Sequence, residues 1–152
     1  MRQIKARRLI ASHENPIVPK LAEMFVLNSA DRGKRPIVLV DDDPALLAAL
    51  EFSFETDGFC VAGFASAEAL LAGAPAACAC LVIDQNLPGM SGVDLIESLW
   101  ADGRRAPAIL ITTHPSVQLR ARATRLGVEV VEKPLMGDAL IWRVRRIASV
   151  RG

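Results

Sequence analysis

The chain has 152 residues, 51% hydrophobic and 23% charged, with a formal net charge of +1. Such a composition excludes an intrinsically disordered chain and fits one domain with a sizeable core, and no apolar run approaches the ~20 residues of a membrane span. The near-zero charge conceals three blocks: eight basic and three acidic residues in 1–35, eleven acidic and no basic in 36–103, ten basic and three acidic in 104–152. The middle block therefore suggests a cation site, and the last an anion or partner surface.

The opening MRQIKARRLIASHENP is basic but has no continuous apolar stretch and no small-residue cleavage site, so no secretory leader is expected. Asn15-Pro16 reads as a cap and first helical position, and Ile17, Leu21, Met24 and Phe25 recur at helical spacing. This predicts a helix over about 16–28 and a polar linker to Pro36, together an N-terminal arm over 1–35. Met24 offers a competing translational start.

From residue 36 the pattern alternates strand and helix. Ile37–Val40 is a β-branched run that stops at three aspartates, and Asp43-Pro44 opens a helix bearing Leu46, Leu47, Leu50 and Phe54 on one face and ending at Gly58. A second strand is expected over Phe59–Phe64, followed by a short helix capped by Ser66 and ending at Gly73. Cys80–Ile83 is an apolar strand ending at Asp84. After the loop NLPGM, Ser91 and Asp94 form a capping pair for a helix that closes at Gly103. Ala108–Ile111 ends at Thr112-Thr113, a helix covers roughly Ser116–Leu126, and Val128–Val131 is the fifth strand before Glu132-Lys133-Pro134. The last helix is expected from about Gly137 to Val150. Cys60, Cys78 and Cys80 fit no disulfide framework. They read as core cysteines of a protein in a reducing cytoplasm, since the C-x-C pair has no His at matching spacing for a metal.

Near-continuous apolar strands separated by helices predict a parallel sheet covered on both faces, an open doubly wound α/β fold. Ligands in such sheets bind beyond the carboxyl ends of the strands. The residues there are Asp41, Asp42, Asp84, Thr112 and Lys133. Singly, each has a plain reading: a solvated loop, a helix cap at Asp43, a strand end, a turn. Together, three carboxylates that repel one another unless a cation is present suit Mg²⁺, and a carboxylate nucleophile beside an ammonium and a hydroxyl suits phosphoryl transfer onto Asp.

The segments IVLVDDDP at 37–44, CLVIDQNLPGMSG at 80–92, ILIT at 109–112 and EKP at 132–134 resemble, in order and spacing, the receiver domain of two-component response regulators. The resemblance covers 36–152. It implies a flavodoxin-like (βα)5 sheet of order 2-1-3-4-5, with Asp84 as phosphoacceptor. It also implies an Mg²⁺ site of Asp84, Asp42 as direct ligand, Asp41 acting mainly through water, and the Asn86 backbone carbonyl. Lys133 would contact the phosphoryl group ahead of a cis bond to Pro134, and Thr112 would report the modified state. Such a domain is a phosphoacceptor rather than an enzyme with turnover. Its donor would be a histidine kinase or histidine phosphotransfer protein, and its output would be contact with a downstream protein.

Two positions depart from the family pattern. Val130 stands where an aromatic switch residue is common, and Thr113 where Ala or Gly is common, which would shift the readout toward His114-Pro115 and the following helix. The chain stops with the fifth helix, so a single-domain type without a DNA-binding module or membrane segment is expected. Homodimerisation is expected through helix 4, strand 5 and helix 5 or through the arm. Leu119, Leu126, Leu140 and Trp142 would centre that face, ringed by Arg120, Arg122, Arg125, Arg143, Arg145 and Arg146. The alternatives are a Mg²⁺-dependent phosphohydrolase using Asp84 or Asp41, which would need an inserted cap bearing a second acid/base, and a receiver-shaped adaptor that is never phosphorylated.

Overall fold

The computed structural model describes residues 34–149, so the arm helix expected over 16–28 lies outside the described residues. Five strands alternate with five helices: β1 Ile37–Val40, α1 Pro44–Thr56, β2 Val61–Phe64, α2 Ala67–Gly73, β3 Cys80–Asp84, α3 Gly92–Ala101, β4 Ala108–Thr112, α4 Val117–Leu126, β5 Glu129–Glu132 and α5 Ala139–Ser149. All neighbouring strands pair in parallel, in the order β2-β1-β3-β4-β5. This is the open doubly wound sheet expected from the alternation.

Helix starts follow from side chains that satisfy orphan N–H groups. Asp43 accepts from Ala45 and Leu46, Ser66 from Ala69, Ser91 from Asp94 and Ser116 from Leu119. At the other end of α4, Gly127 adopts φ +73°, a left-handed cap that only glycine takes at no steric cost.

Three boundaries move. β2 begins at Val61, because the Phe59 N–H instead closes the end of α1 on the Phe54 carbonyl. β5 runs one residue later than expected, over Glu129–Glu132. α5 begins at Ala139, since Gly137 sits at φ +56°, outside helical geometry; its expected end at Val150 lies outside the described residues.

Successive strand residues point to opposite faces, so the two faces carry separate cores. Val38, Val40, Leu81, Ile83 and Leu110 pack with α2, α3 and α4, while Ile37, Leu39, Val82, Ile109 and Ile111 pack with Phe54 of α1 and Leu140 and Val144 of α5. Leu140 is therefore core rather than part of an exposed face, a correction to the expected surface cluster. Trp142, two residues from both Leu140 and Val144 and so on the opposite side of α5, is 63% exposed. Among the described residues no helix is long and apolar enough to cross a membrane.

Phe54 is fully buried and meets Phe59 edge-to-face at 5.7 Å, whereas Phe52 on the same helix is 72% exposed. Phe54→Ala is expected to cost about 3–5 kcal/mol in urea denaturation, and Phe52→Ala to stay within about 0.5 kcal/mol of wild type.

Candidate functional site

Both faces of β1, β3 and β4 are covered, so a charge on these strands can reach solvent only at their ends. β1 passes directly into Asp41, whose N–H donates to the Phe64 carbonyl at 3.2 Å and so still belongs to the sheet. β3 ends on Asp84 itself. Asp41 is 2% exposed and Asp84 5%, while Asp42 points into solvent. Asp43 is drawn away into the cap of α1, and its N–H donates to Asp41 Oδ1 at 2.9 Å. Carboxylate oxygens of Asp41, Asp42 and Asp84 lie within 4.8 Å of one another.

Lys133 follows β5, where its N–H donates to the Thr112 carbonyl at 2.9 Å. Its Nζ lies 3.4 Å from Asp84 Oδ2 and 3.5 Å from Asp41 Oδ2. The Lys133–Pro134 bond is cis. Thr112 is buried at the end of β4, one residue past the Ile111 that pairs with Asp84. Asn86 is exposed and donates its N–H to Asp84 Oδ1 at 3.3 Å. Thr113 and His114 are exposed in the following loop.

The electrostatics of the cluster are unbalanced. Burial pushes the Asp84 carboxyl above the ordinary carboxylate range and repulsion from Asp41 adds to this; the Asn86 N–H and the Lys133 ammonium act in the opposite direction. One ammonium faces three carboxylates, leaving a surplus of negative charge on hard oxygen donors. That donor set fits a divalent cation of the oxygen-preferring kind.

A scan of family models matches the response regulator receiver domain over residues 37–145. The chain belongs to this family. The transcriptional regulatory protein FixJ of Azorhizobium caulinodans is 38% identical over 112 residues, covering 72% of this chain and 53% of that protein. The C4-dicarboxylate transport transcriptional regulatory protein DctD of Rhizobium meliloti is 36% identical over 117 residues, covering 76% of this chain and 25% of that protein. The chain thus spans about half the length of FixJ and a quarter of DctD. Among solved structures, the non-phosphorylated HemR receiver domain of Leptospira biflexa matches at 29% identity and TM-score 0.70, over 76% of this chain and 95% of that one. A CheY-like receiver from Methanospirillum hungatei shares the fold at TM-score 0.72 and 23% identity, over 78% of this chain and 97% of that one.

In this receiver Asp41, Asp42, Asp84, Asn86, Thr112 and Lys133 all stand at or just beyond the carboxyl ends of the strands, and burial pushes the Cys78 thiol up to about 11 and that of Cys80 to about 12, which disfavours the reactive thiolate. The arginines differ from expectation. Five of the six proposed as a partner surface are engaged within the domain: Arg120 with Glu132, Arg122 with Asp94 and Glu97 of α3, Arg143 and Arg146 with Glu129, and Arg145 with Asp57. Sequence reasoning also passed over Gln85. It sits between two residues that were singled out, and its bonds are to residues 92, 93 and 111, which no local pattern announces.

A carboxyl raised by burial makes the folded state hold a proton that the unfolded state has released. The contribution of Asp84 to stability therefore falls as pH rises from the ordinary carboxylate value through the raised one. Asp84→Asn removes this penalty. Without metal it is expected to melt above wild type at pH 7, with the gap closing as pH drops below the carboxylate range. A variant melting below wild type at pH 7 would mean that pairing with Lys133 outweighs burial.

Proposed function

We propose that the domain takes a phosphoryl group onto Asp84 from a histidine kinase or histidine phosphotransfer protein and passes the signal on through protein contacts. The observation that carries this reading is the Lys133 ammonium placed 3.4 and 3.5 Å from Asp84 and Asp41, beside an otherwise uncompensated carboxylate cluster. Asp42, Asp84 and the Asn86 carbonyl would hold Mg²⁺, with Asp41 acting mainly through water. Bound there, the ion would neutralise charge on the equatorial oxygens of the transferring group.

In the reaction an Asp84 carboxylate oxygen forms the new P–O bond as the bond from phosphorus to the donor breaks, and the donor leaves with the electron pair. Oδ1 is anchored by the Asn86 N–H, which orients the carboxylate. Lys133 exchanges its contact with Asp84 Oδ2 for one with a phosphoryl oxygen, and the Thr112 hydroxyl donates to another. Asp84 is modified once per cycle, so the domain is a phosphoacceptor rather than a turnover enzyme. A cytoplasmic location accords with its thiols.

The output face is α4–β5–α5. Here a groove of ≈ 320 Å³ lined by Val130, Leu135 and Met136 runs between the helices. Met136 and Trp142, 73% and 63% exposed, stand on the loop before α5 and on α5. This surface suits a downstream target or a second copy, with residues 1–35 as an accessory arm. Val130 has no ring to couple with Thr112, so the readout passes through Thr113, His114 and Pro115 into α4. A structure with a phosphoryl mimic is expected to displace residues 112–126; an unmoved segment would reject this route.

The assignment of Asp84 is tested by incubation with labelled acetyl phosphate and Mg²⁺. The expected result is at most one alkali-labile phosphoryl group per wild-type chain and none on Asp84→Asn. Label surviving the substitution would refute the assignment. Repeated release of phosphate from an ester substrate would instead favour a phosphohydrolase.

A further inference from the structure

The first turn of α3 has its orphan donors satisfied in an uncommon way. The Asp94 N–H donates to the Ser91 hydroxyl at 3.3 Å, as a helix cap ordinarily does. The two donors before it both go to one residue outside the helix: the Gly92 N–H donates to the Gln85 backbone carbonyl at 3.0 Å, and the Val93 N–H to Gln85 Oε1 at 3.0 Å. The N–H of Gln85 in turn donates to the Ile111 carbonyl of β4 at 2.8 Å. Gln85 therefore ties the end of β3 to β4 on one side and to α3 on the other, closing the loop 86–91 at its base.

Close approach reinforces this closure. A Cβ at Gly92 would lie 2.5 Å from the Asp84 carbonyl oxygen and 2.9 Å from the Gln85 Cα, so α3 starts in direct contact with the Asp84–Gln85 peptide. Val93 is 1% exposed. Its N–H would be left without a partner if the Gln85 side chain lost its acceptor, a situation that costs more than the loss of an exposed bond. The residue between this clamp and the loop is Asn86, whose N–H holds Asp84 Oδ1.

We propose that Gln85 is a positioning residue for the acidic site: its side-chain amide, by capping α3, fixes the backbone of Asn86 and with it the orientation of the Asp84 carboxylate. Gln85 touches neither Mg²⁺ nor the phosphoryl group. It acts through Asn86, in the manner of outer-shell groups that hold metal ligands in place. The inference rests on the reading of Asp84, Asn86 and Asp42 as the Mg²⁺ site, but the clamp itself is independent of that reading.

Two variants separate the possibilities. Gln85→Met keeps the length and removes the acceptor; Gln85→Glu keeps an acceptor for the Val93 N–H. In the metal-free protein, Val93 amide hydrogen exchange is expected to quicken roughly fivefold in Gln85→Met while the amide of Val82 in β3 is unchanged, and to be restored in Gln85→Glu. With acetyl phosphate as donor, the Mg²⁺ concentration for half-maximal labelling is expected to rise roughly tenfold in Gln85→Met, with the loss appearing there and not in the saturated rate. Unchanged Mg²⁺ dependence alongside quickened Val93 exchange would overturn the positioning role. So would equal loss in both variants, or a fall confined to the saturated rate. Wild-type protein that neither binds Mg²⁺ nor becomes labelled would overturn the functional reading itself, and the exchange measurement would still report on the clamp.

Discussion

The ammonium of Lys133, 3.4 Å from Asp84 and 3.5 Å from Asp41, is the contact on which the site depends. Two like charges about 4 Å apart near a protein surface repel by about 4 kcal/mol at an effective dielectric of 20, and here both carboxylates are nearly buried. A single flexible side chain offsets this only because its backbone is held: the Lys133 N–H belongs to the β4 ladder through the Thr112 carbonyl. The position of the charge is thus set by the register of β5 on β4, Ile109 with Glu129 through Thr112 with Glu132. That register depends in turn on Leu140 and Val144 covering one face of the sheet and Ala123 of α4 the other.

The two-faced core explains how much of this could be read from residues alone. A strand covered on both sides tolerates charge only at its ends, so apolar runs that stop at Asp41 and Asp84 mark both the strand and the side of the sheet where polar chemistry collects. Caps were equally legible at Asp43, Ser66 and Ser91, because each acts within three residues of itself; Ser116, read as the start of its helix, is the cap just before it. What escaped was contact between distant segments. Phe59 and Cys60 carry strand-like side chains, yet Phe59 completes the end of α1 instead. Gln85 reads as an ordinary polar residue in a loop, and its significance arises only when α3 closes on β3. The arginines of α4 and α5 look like a free basic face, because their acceptors Asp94, Glu97, Glu129 and Asp57 lie up to 88 positions away.

The pairing of those arginines changes what the charge blocks mean. The acidic middle block and the basic last block are not two separate surfaces. Arg122 links α4 to Asp94 and Glu97 on α3, holding both carboxylates below the usual range, and Arg145 links α5 to the residue that ends α1. Exposed pairs of this kind contribute little to stability, with a median of about 0–1 kcal/mol. Their effect is instead one of orientation. α4 has only Ala123 fully buried, so its seating against α3 rests on the half-buried Leu119 and Leu126 together with the bidentate Arg122. The apolar footprint of this helix is small, and it begins four residues after Thr113. With five of the six guanidinium groups paired within the domain, the large apolar side chains exposed around α4 and α5 are Val117, Met136 and Trp142. The surface that this part of the domain offers therefore combines exposed apolar side chains with arginines of which five are already oriented by carboxylates of the same domain.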